Sequence, residues 1–400
     1  MSSTSSSTSS TFDTYIVSTS EVDDSEQAVS EIVEQIPLDS LKAHSLGIVV
    51  CHYEFALSGV LAAICDALPF TIVGTITSAQ ASQGTLGSFE LIITVLTSDE
   101  VKFSTALSES LSQEPVSEVE ATYHQATNVA GTNEKPDLIL IHGPFIPQNS
   151  GDDYLQKLNQ VSQNAPVFGT LAVDDTEDFR YCFSIYNGKH YNDRMALTLI
   201  WGVEPRFYSA NISPNKIVGD PVLITESSGS FLAAVNERPI AEYLADLGLA
   251  QAAENGYAMS SMPFLLDYGD GTPPISRVFI ALLPDGKVIL NGSAPEGLEL
   301  SVGAFDKEDA LETTHLAVDD ALAQLDDKPK HSLMLAYSCI ARSMALGAEF
   351  LLELEQTQEQ IGSRVPFVMA YSGGEYCPTN IKDDVSTNRF HNNALIICTI

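Results

Sequence analysis

Short apolar runs alternate with segments of helical periodicity along most of the chain. Leu46–Cys51 is typical of a buried strand, Phe55–Leu68 has helical spacing and ends at Pro69, and Phe70–Ile76 is again strand-like. Strands separated by helices favour parallel pairing, whereas turn signals such as Asn187-Gly188 favour antiparallel hairpins. The sequence therefore predicts an α/β fold with mixed β-sheets flanked by helices.

The length and the breaks in this pattern predict two consecutive modules. A chain of 400 residues is too long for one compact core. We expect an acidic, Ser/Thr-rich tail over residues 1–40, disordered over Met1–Ser20 and weakly helical after it. A first module (41–203), a join (204–220) and a second module (221–400) follow. A layered sandwich of sheets at the interface of the modules is compatible with this pattern.

The end of the chain resembles its beginning. The order strand, helix, proline, strand, strand over residues 46–97 recurs over residues 332–400, which indicates that the two modules share a building unit. The sequence also gives two local predictions. Ile340–Ile361 has the periodicity of one long helix. The runs that flank Asn187-Gly188 imply a hairpin loop longer than two residues.

The charge of the chain excludes some classes of partner. There are 53 acidic and 19 basic residues, a formal net charge of −34, and we find no basic stripe. Such a field repels phosphate backbones, so we expect no nucleic-acid partner. No apolar run reaches the length of a membrane helix, and the N-terminus lacks the pattern of a secretory signal. The six cysteines are widely spaced, which favours reduced thiols in the cytoplasm.

Separated motifs in the last third of the chain resemble those of the C-terminal FIST domain. They are the Ser-Cys-x-x-Arg turn at Ser338–Arg342, the Gly-Glu-x-x-Pro segment at Gly374–Pro378, and the His-Asn pair at His391-Asn392. The first module is similar to the N-terminal FIST domain at Ile72–Gly74, at 137–142 and at 167–172. The resemblance implies an intracellular sensory protein that binds a small ligand. It also implies a haem in some relatives.

The resemblance and the residue types together give a candidate ligand site in the second module. With no kinase, cyclase or methyl-accepting segment in the chain, we expect a separate signalling partner. An amino acid or another small carboxylate is the expected ligand, because Arg342 could clamp a carboxylate. The candidate ligand-binding residues are Ser338, Cys339, Arg342, Tyr371, Gly374, Glu375, His391 and Asn392.

Each of these residues also has a structural alternative. Cys339 could be a reactive thiol at a helix start or a small buried side chain. Arg342 could bind a ligand or pair with a structural carboxylate such as Glu375, and His391 could simply fix the last strand. A second hypothesis is an enzyme with Cys339 as nucleophile and His391 or Glu375 as base. A third is a haem-based gas sensor.

One acidic cluster stands apart from these motifs. Asp174-Asp175 is followed closely by Glu177-Asp178. The cluster lacks the glycine and the terminal glutamate of a calcium-binding loop. We therefore expect a solvated acidic loop.

Overall fold

The structure, a computed structural model, describes residues 12–147, 149–213, 216–254, 259, 261–326 and 333–400. Within these residues, three units repeat one order of elements: strand, helix, strand, one or two helices, strand, hairpin, strand. Unit one contains β1 (Asp13–Thr19), α1 (Ser25–Glu34), β2 (His44–Cys51), α2 (Tyr53–Ser58), α3 (Val60–Ala67), β3 (Thr71–Ile76), the hairpin β4 (Gln80–Ser82) and β5 (Leu86–Gly87), and β6 (Leu91–Ser98).

Unit two follows directly and has the same order. It contains β7 (Lys102–Leu107), α4 (Pro115–Ala130), β8 (Leu138–Gly143), α5 (Gly151–Val161), β9 (Val167–Leu171), the hairpin β10 (Ser184–Tyr186) and β11 (Lys189–Tyr191), and β12 (Ala196–Trp201).

Unit three is interrupted by an inserted lobe. The unit starts with β13 (Arg206–Ala210). The inserted lobe then contains β14 (Ile217–Ser228), β15 (Phe231–Val235), β16 (Arg238–Pro239), α6 (Ile240–Asp246), α7 (Ala250–Glu254), β17 (Phe264–Asp267), β18 (Ile275–Arg277), β19 (Phe279–Leu282), β20 (Val288–Leu290) and β21 (Glu299–Gly303). Unit three resumes with α8 (Lys307–Asp326), β22 (Met334–Cys339), α9 (Ile340–Leu346), α10 (Leu352–Ile361), β23 (Phe367–Ser372), the hairpin β24 (Glu375–Lys382) and β25 (Val385–His391), and β26 (Leu395–Thr399).

The three units build three sheets of identical topology. Sheet one has the order β1-β6-β2-β3-β10-β11, sheet two β7-β12-β8-β9-β24-β25, and sheet three β13-β26-β22-β23-β4-β5. The third and fourth strands of each sheet are parallel, and the other neighbours are antiparallel. Each unit therefore gives its hairpin to the sheet of another unit. This cyclic exchange gives the body of the protein an approximate threefold symmetry.

The three sheets enclose one shared core. Its buried side chains come from all three sheets, among them Ile48 of β2, Phe168 of β9 and Tyr337 of β22. The helices cover the outer faces, with α1 to α3 on sheet one, α4 and α5 on sheet two, and α8 and α10 on sheet three. Burying a large apolar side chain stabilises a fold by about 1.5–3 kcal/mol, so this common interior is a major source of stability.

The segments that carry each hairpin into another sheet meet one another. The Val173 amide donates to Ile76 O at 3.2 Å, the Gly373 amide to Leu171 O at 2.9 Å, and the Tyr371 amide to Ala79 O at 3.0 Å. These bonds join the ends of β3, β9 and β23. The bonds thereby hold together the C-terminal ends of three strands that carry motifs predicted from the sequence.

The inserted lobe is a small sheet of its own. Its strands follow the order β18-β17-β21-β14-β15-β20-β19, and β16 pairs with β15. The turn at Asp285-Gly286 joins β19 to β20. Because β18 and β19 are consecutive in the chain, the sheet curls into a nearly closed barrel around an apolar core.

The α/β class with mixed sheets is confirmed, and so is the resemblance between the first and last parts of the chain. The prediction that Met1–Ser20 is disordered is wrong from Asp13 onward. Strand β1 pairs with β6 along Asp13–Thr19 and buries Val17. The first eleven residues lie outside the described part.

Two local predictions are also wrong. Ile340–Ile361 is not one helix, since Gly347 has φ +59° and separates α9 from α10. The hairpin loop at Asn187-Gly188 has only two residues, both with positive φ, as in a type I′ turn. Among the described helices, none is both long enough and apolar enough to cross a membrane.

Candidate functional site

Cys339 lies where β22 ends and α9 begins. The strand is a continuous buried run from Met334, and the residue after Cys339 starts the helix. The side chain of Cys339 adjoins the carboxyl of Glu375 and makes no capping hydrogen bond to the first turn of α9. Burial and this neighbouring carboxyl raise the pKa of the thiol well above its ordinary value. The site therefore keeps Cys339 protonated, the opposite of an activated nucleophile.

Arg342, one turn into α9, points into the protein and is completely buried. Its Nε donates to Glu353 Oε1 at 2.9 Å, and its Nη2 donates to Ala310 O at 2.7 Å. The Ser338 hydroxyl donates to the other oxygen of Glu353 at 2.8 Å. The structural partner of Arg342 is thus Glu353 of α10 and not Glu375, because α9 presents residue 342 to α8 and α10.

Glu375 begins β24, just where the chain crosses into sheet two. Gly374 has φ +153°, and a Cβ there would lie 2.5 Å from Phe390 Cζ, so the crossing requires glycine. The Ser372 hydroxyl donates to Glu375 Oε1 at 2.5 Å, whereas Oε2 has no hydrogen-bond partner among the described residues. Burial raises the pKa of Glu375 well above its ordinary value. The carboxyl is therefore held towards its neutral form.

His391 and Asn392 also lie below the surface. His391 Nε2 lies 3.1 Å from Cys377 O, and burial lowers the pKa of His391 to about 4. Asn392 Oδ1 accepts a hydrogen bond from the backbone of Val278 at 3.2 Å. His391 thus fixes the end of β25, while Asn392 links that end to the inserted lobe.

Tyr371 completes the predicted set. Its hydroxyl donates to Phe350 O at 2.5 Å, and its ring is fully buried. All eight predicted residues are buried. Arg342 lies on α9, and the other seven lie in or next to the adjoining ends of β22, β23, β24 and β25. They form a polar layer beneath the surface, from which only Cys339 reaches the cavity described next.

A cavity of about 340 Å³ opens between the inserted lobe and the body of the protein. Unit two, the lobe and unit three each supply part of its wall. The lining residues are Phe145, Val173, Glu177 and Phe179 from unit two, Val278, Phe279, Ile280 and Asn291 from the lobe, and Cys339, Ile340, Ala341, Met344 and Gly373 from unit three.

The contacts that hold the lobe against this cavity were not predicted. Arg277 is fully buried, and it donates to Asp152 Oδ1 at 2.8 Å, to Phe390 O at 2.8 Å and to Ser293 O at 3.0 Å. Asn291 Nδ2 donates to Gly373 O at 3.0 Å. The sequence held one sign of these contacts, an arginine inside the apolar stretch 275–283. A charge in a buried strand needs partners, which the rest of the chain has to supply.

The acidic cluster is not simply a solvated loop. Asp174 is completely buried, and its carboxylate accepts from the Thr176 amide at 2.7 Å and from the Tyr181 amide. Asp174 therefore shapes the loop that leads from β9 to β10. Asp175 lies 3.3 Å from His52 Nε2. Glu177 is exposed and lies at the cavity.

A haem does not fit this arrangement. Of the described residues that line the cavity, none is a histidine or tyrosine, and the one cysteine is held as a neutral thiol. The described residues also contain no group of three or more His, Cys, Asp or Glu side chains placed to hold a metal ion.

Two solved structures show distant similarity to the chain. A cyanuric acid hydrolase from A. caulinodans is 8% identical with a TM-score of 0.38, and the match covers 98% of this chain and 99% of that one. Phosphoribosylformylglycinamidine synthase II from Thermotoga maritima is 10% identical with a TM-score of 0.21, over 97% of this chain and 71% of that one. Sequence identities and TM-scores this low carry no information about the function of this chain. No curated protein matches the chain.

The sequence matches the models of two protein domains. The FIST N domain matches residues 45–238, and the FIST C domain matches residues 239–378. The two matches meet inside the inserted lobe, between the residues of β16. FIST domains are sensory domains of signal transduction that bind small ligands. Because the matches are consecutive and span most of the chain, this protein belongs to the FIST family.

Proposed function

We propose that the protein is a sensor whose small-molecule ligand binds in the cavity between the inserted lobe and the body. The observation that carries this proposal is the composition of the cavity wall, to which two units and the lobe all contribute. The volume of about 340 Å³ lies within the range of small-molecule sites, about 300–1,000 Å³. The lining is mostly apolar with a few polar groups, as such sites usually are.

Binding at this position gives a route from ligand to signal. A ligand that touches Phe279 of the lobe and Ile340 of the body stabilises the arrangement of the lobe that contacts both. The lobe is otherwise attached near the cavity through polar contacts such as Asn291 to Gly373 and Arg277 to Asp152. A separate signalling protein would then recognise the position of the lobe.

The cavity wall does not favour a small carboxylate. Arg342 is buried against Glu353 and does not line the cavity, and the described lining contains no Lys, Arg or His. A carboxylate placed there would lose its hydration without gaining a cation. The lining instead favours a ligand with a largely apolar body.

A substitution that fills the cavity tests the site. Met344 is half-buried in the wall, so Met344→Trp should occupy the space of the ligand. A compound that binds there raises the midpoint of thermal unfolding of the wild type, since a ligand stabilises only the state that binds it. In a thermal-shift screen of small apolar compounds, we expect hits with the wild type that vanish in Met344→Trp.

Val129→Trp is the matched control. Val129 lies exposed on α4, away from the cavity, so this variant should keep every hit. Hits that persist unchanged in Met344→Trp would show that the compounds bind elsewhere.

A further inference from the structure

We propose that the ligand is an organic cation, an amine with an aromatic or alkyl body. The proposal rests on the proposed function, because it assigns the chemistry of the ligand in the same cavity. It follows from the charges, the hydrogen-bonding groups and the aromatic rings of the wall.

The charged group is Glu177. The other acids of its loop are already engaged, with Asp174 buried in loop contacts, Asp175 beside His52, and Asp178 bound to Arg180 at 2.9 Å. Glu177 has neither an ion pair nor a hydrogen bond to any residue that the structure describes. It is the one charged side chain in the described lining, and it is negative.

The neutral polar groups of the wall are also mainly acceptors. Asn291 uses its amide nitrogen to bind Gly373 O, and its amide oxygen accepts no bond from the described residues. The backbone N–H groups of Cys339 and Gly373, which could have bound an anion, donate instead to Ala394 O and Leu171 O, each at 2.9 Å. The wall thus offers acceptors to a ligand that brings its own donors, as an ammonium group does.

The apolar part of the wall suits the body of such a ligand. Phe145 and Phe179 lie edge to face with ring centroids 6.5 Å apart, and Phe279 and Met344 face the same cavity. Aromatic faces attract cations through the ring quadrupole. The net charge of −34 adds a field that concentrates cations near the protein.

Three compounds with the same phenyl group and similar chains test the charge preference. They are phenylpropylamine, phenylpropanol and phenylpropionate, which are cationic, neutral and anionic at pH 7. Isothermal titration of the full chain should give the tightest binding for the amine and the weakest for the carboxylate. Glu177→Gln should weaken amine binding about fivefold, as expected for a partly solvated ion pair, and leave phenylpropanol unchanged.

Asp178→Asn removes the same charge one residue away and is the matched control. It should leave the preference for the amine intact, whereas loss of the preference in both variants would show a general charge effect and overturn the inference. Binding of phenylpropanol or phenylpropionate as tightly as the amine, abolished by Met344→Trp, would overturn the amine inference and leave the cavity as the ligand site. Failure of the amine to bind also overturns the inference, and the thermal-shift screen then decides separately whether the cavity binds another class.

Discussion

Arg342 and Glu353 form a buried ion pair, and Arg342 lies on α9, the helix that also lines the cavity. Both side chains are inaccessible to solvent, and the Arg342 guanidinium also lies 5.2 Å from the ring centroid of Phe305. Desolvating such a pair is costly, so its net contribution to stability is small, but removing one partner leaves the other charge unpaired. This pair fixes α9 against α8 and α10. It thereby positions Cys339 and Ile340 at the cavity wall.

We predict that Arg342→Met costs about 3–5 kcal/mol of the free energy of unfolding, because Glu353 is left as a buried unpaired charge. Urea denaturation measures this change. Arg364→Met, at an exposed position after α10, is the matched control and should cost less than about 1 kcal/mol. A cost below about 1 kcal/mol for Arg342→Met would mean that the arginine is not a structural partner.

At the scale of residues, the motifs predict side chains that the fold brings close together, and their role in ligand binding stays a prediction. Ser338, Glu375 and His391 lie at adjoining strand ends, and Arg342 lies in the helix that follows β22. Their partners could not be read from the sequence, since Glu353 lies on a helix whose rotation relative to α9 depends on the break at Gly347. The cavity itself was missed because the lobe supplies one of its walls, and nothing in the sequence places the lobe.

At the scale of elements, the exchange of hairpins between units determines which strands lie at the edges of the sheets. The hairpin β10–β11 closes one side of sheet one, and β1 covers β6 on the other. Strand β1 is held by seven paired residues and by burial of Val17 against α1. The first twenty residues are mostly polar, so their composition did not indicate a strand. An edge strand can form from such residues because only one of its faces has to be buried.

We predict that Val17→Asp destabilises the protein by several kcal/mol, since it places an unpaired charge between sheet one and α1. Ser20→Asp introduces the same charge at an exposed position just after the strand and should change stability by less than about 0.5 kcal/mol. Urea denaturation of the two variants compares them directly. Equal stabilities would show that β1 does not pack on the sheet.

At the scale of the whole molecule, the exchange makes the units interdependent. Sheet two needs β24 and β25 from unit three, and sheet three needs β4 and β5 from unit one. The sequence indicated two related modules but not three, because unit two lacks the close similarity of motif that links the first and last parts. Interleaving of this kind leaves no signal in local periodicity, since it depends on which distant strands pair.

We predict that residues 12–238 alone do not fold cooperatively, although this segment includes the whole FIST N match. The fragment lacks two of the six strands of sheet two and three of the six strands of sheet three, so the shared core is open. Circular dichroism during urea denaturation should show no cooperative transition. Co-expression with residues 239–400 should restore one, and a sharp transition in the fragment alone would contradict the account.

We expect a small molecule to occupy the cavity between the lobe and the body. Native mass spectrometry of the full-length protein, purified from the cells that make it, tests this claim for a ligand of any chemistry. We expect the wild type and Val129→Trp to carry a small-molecule adduct that Met344→Trp lacks. A wild type without any adduct, or the same adduct in Met344→Trp, would contradict the claim.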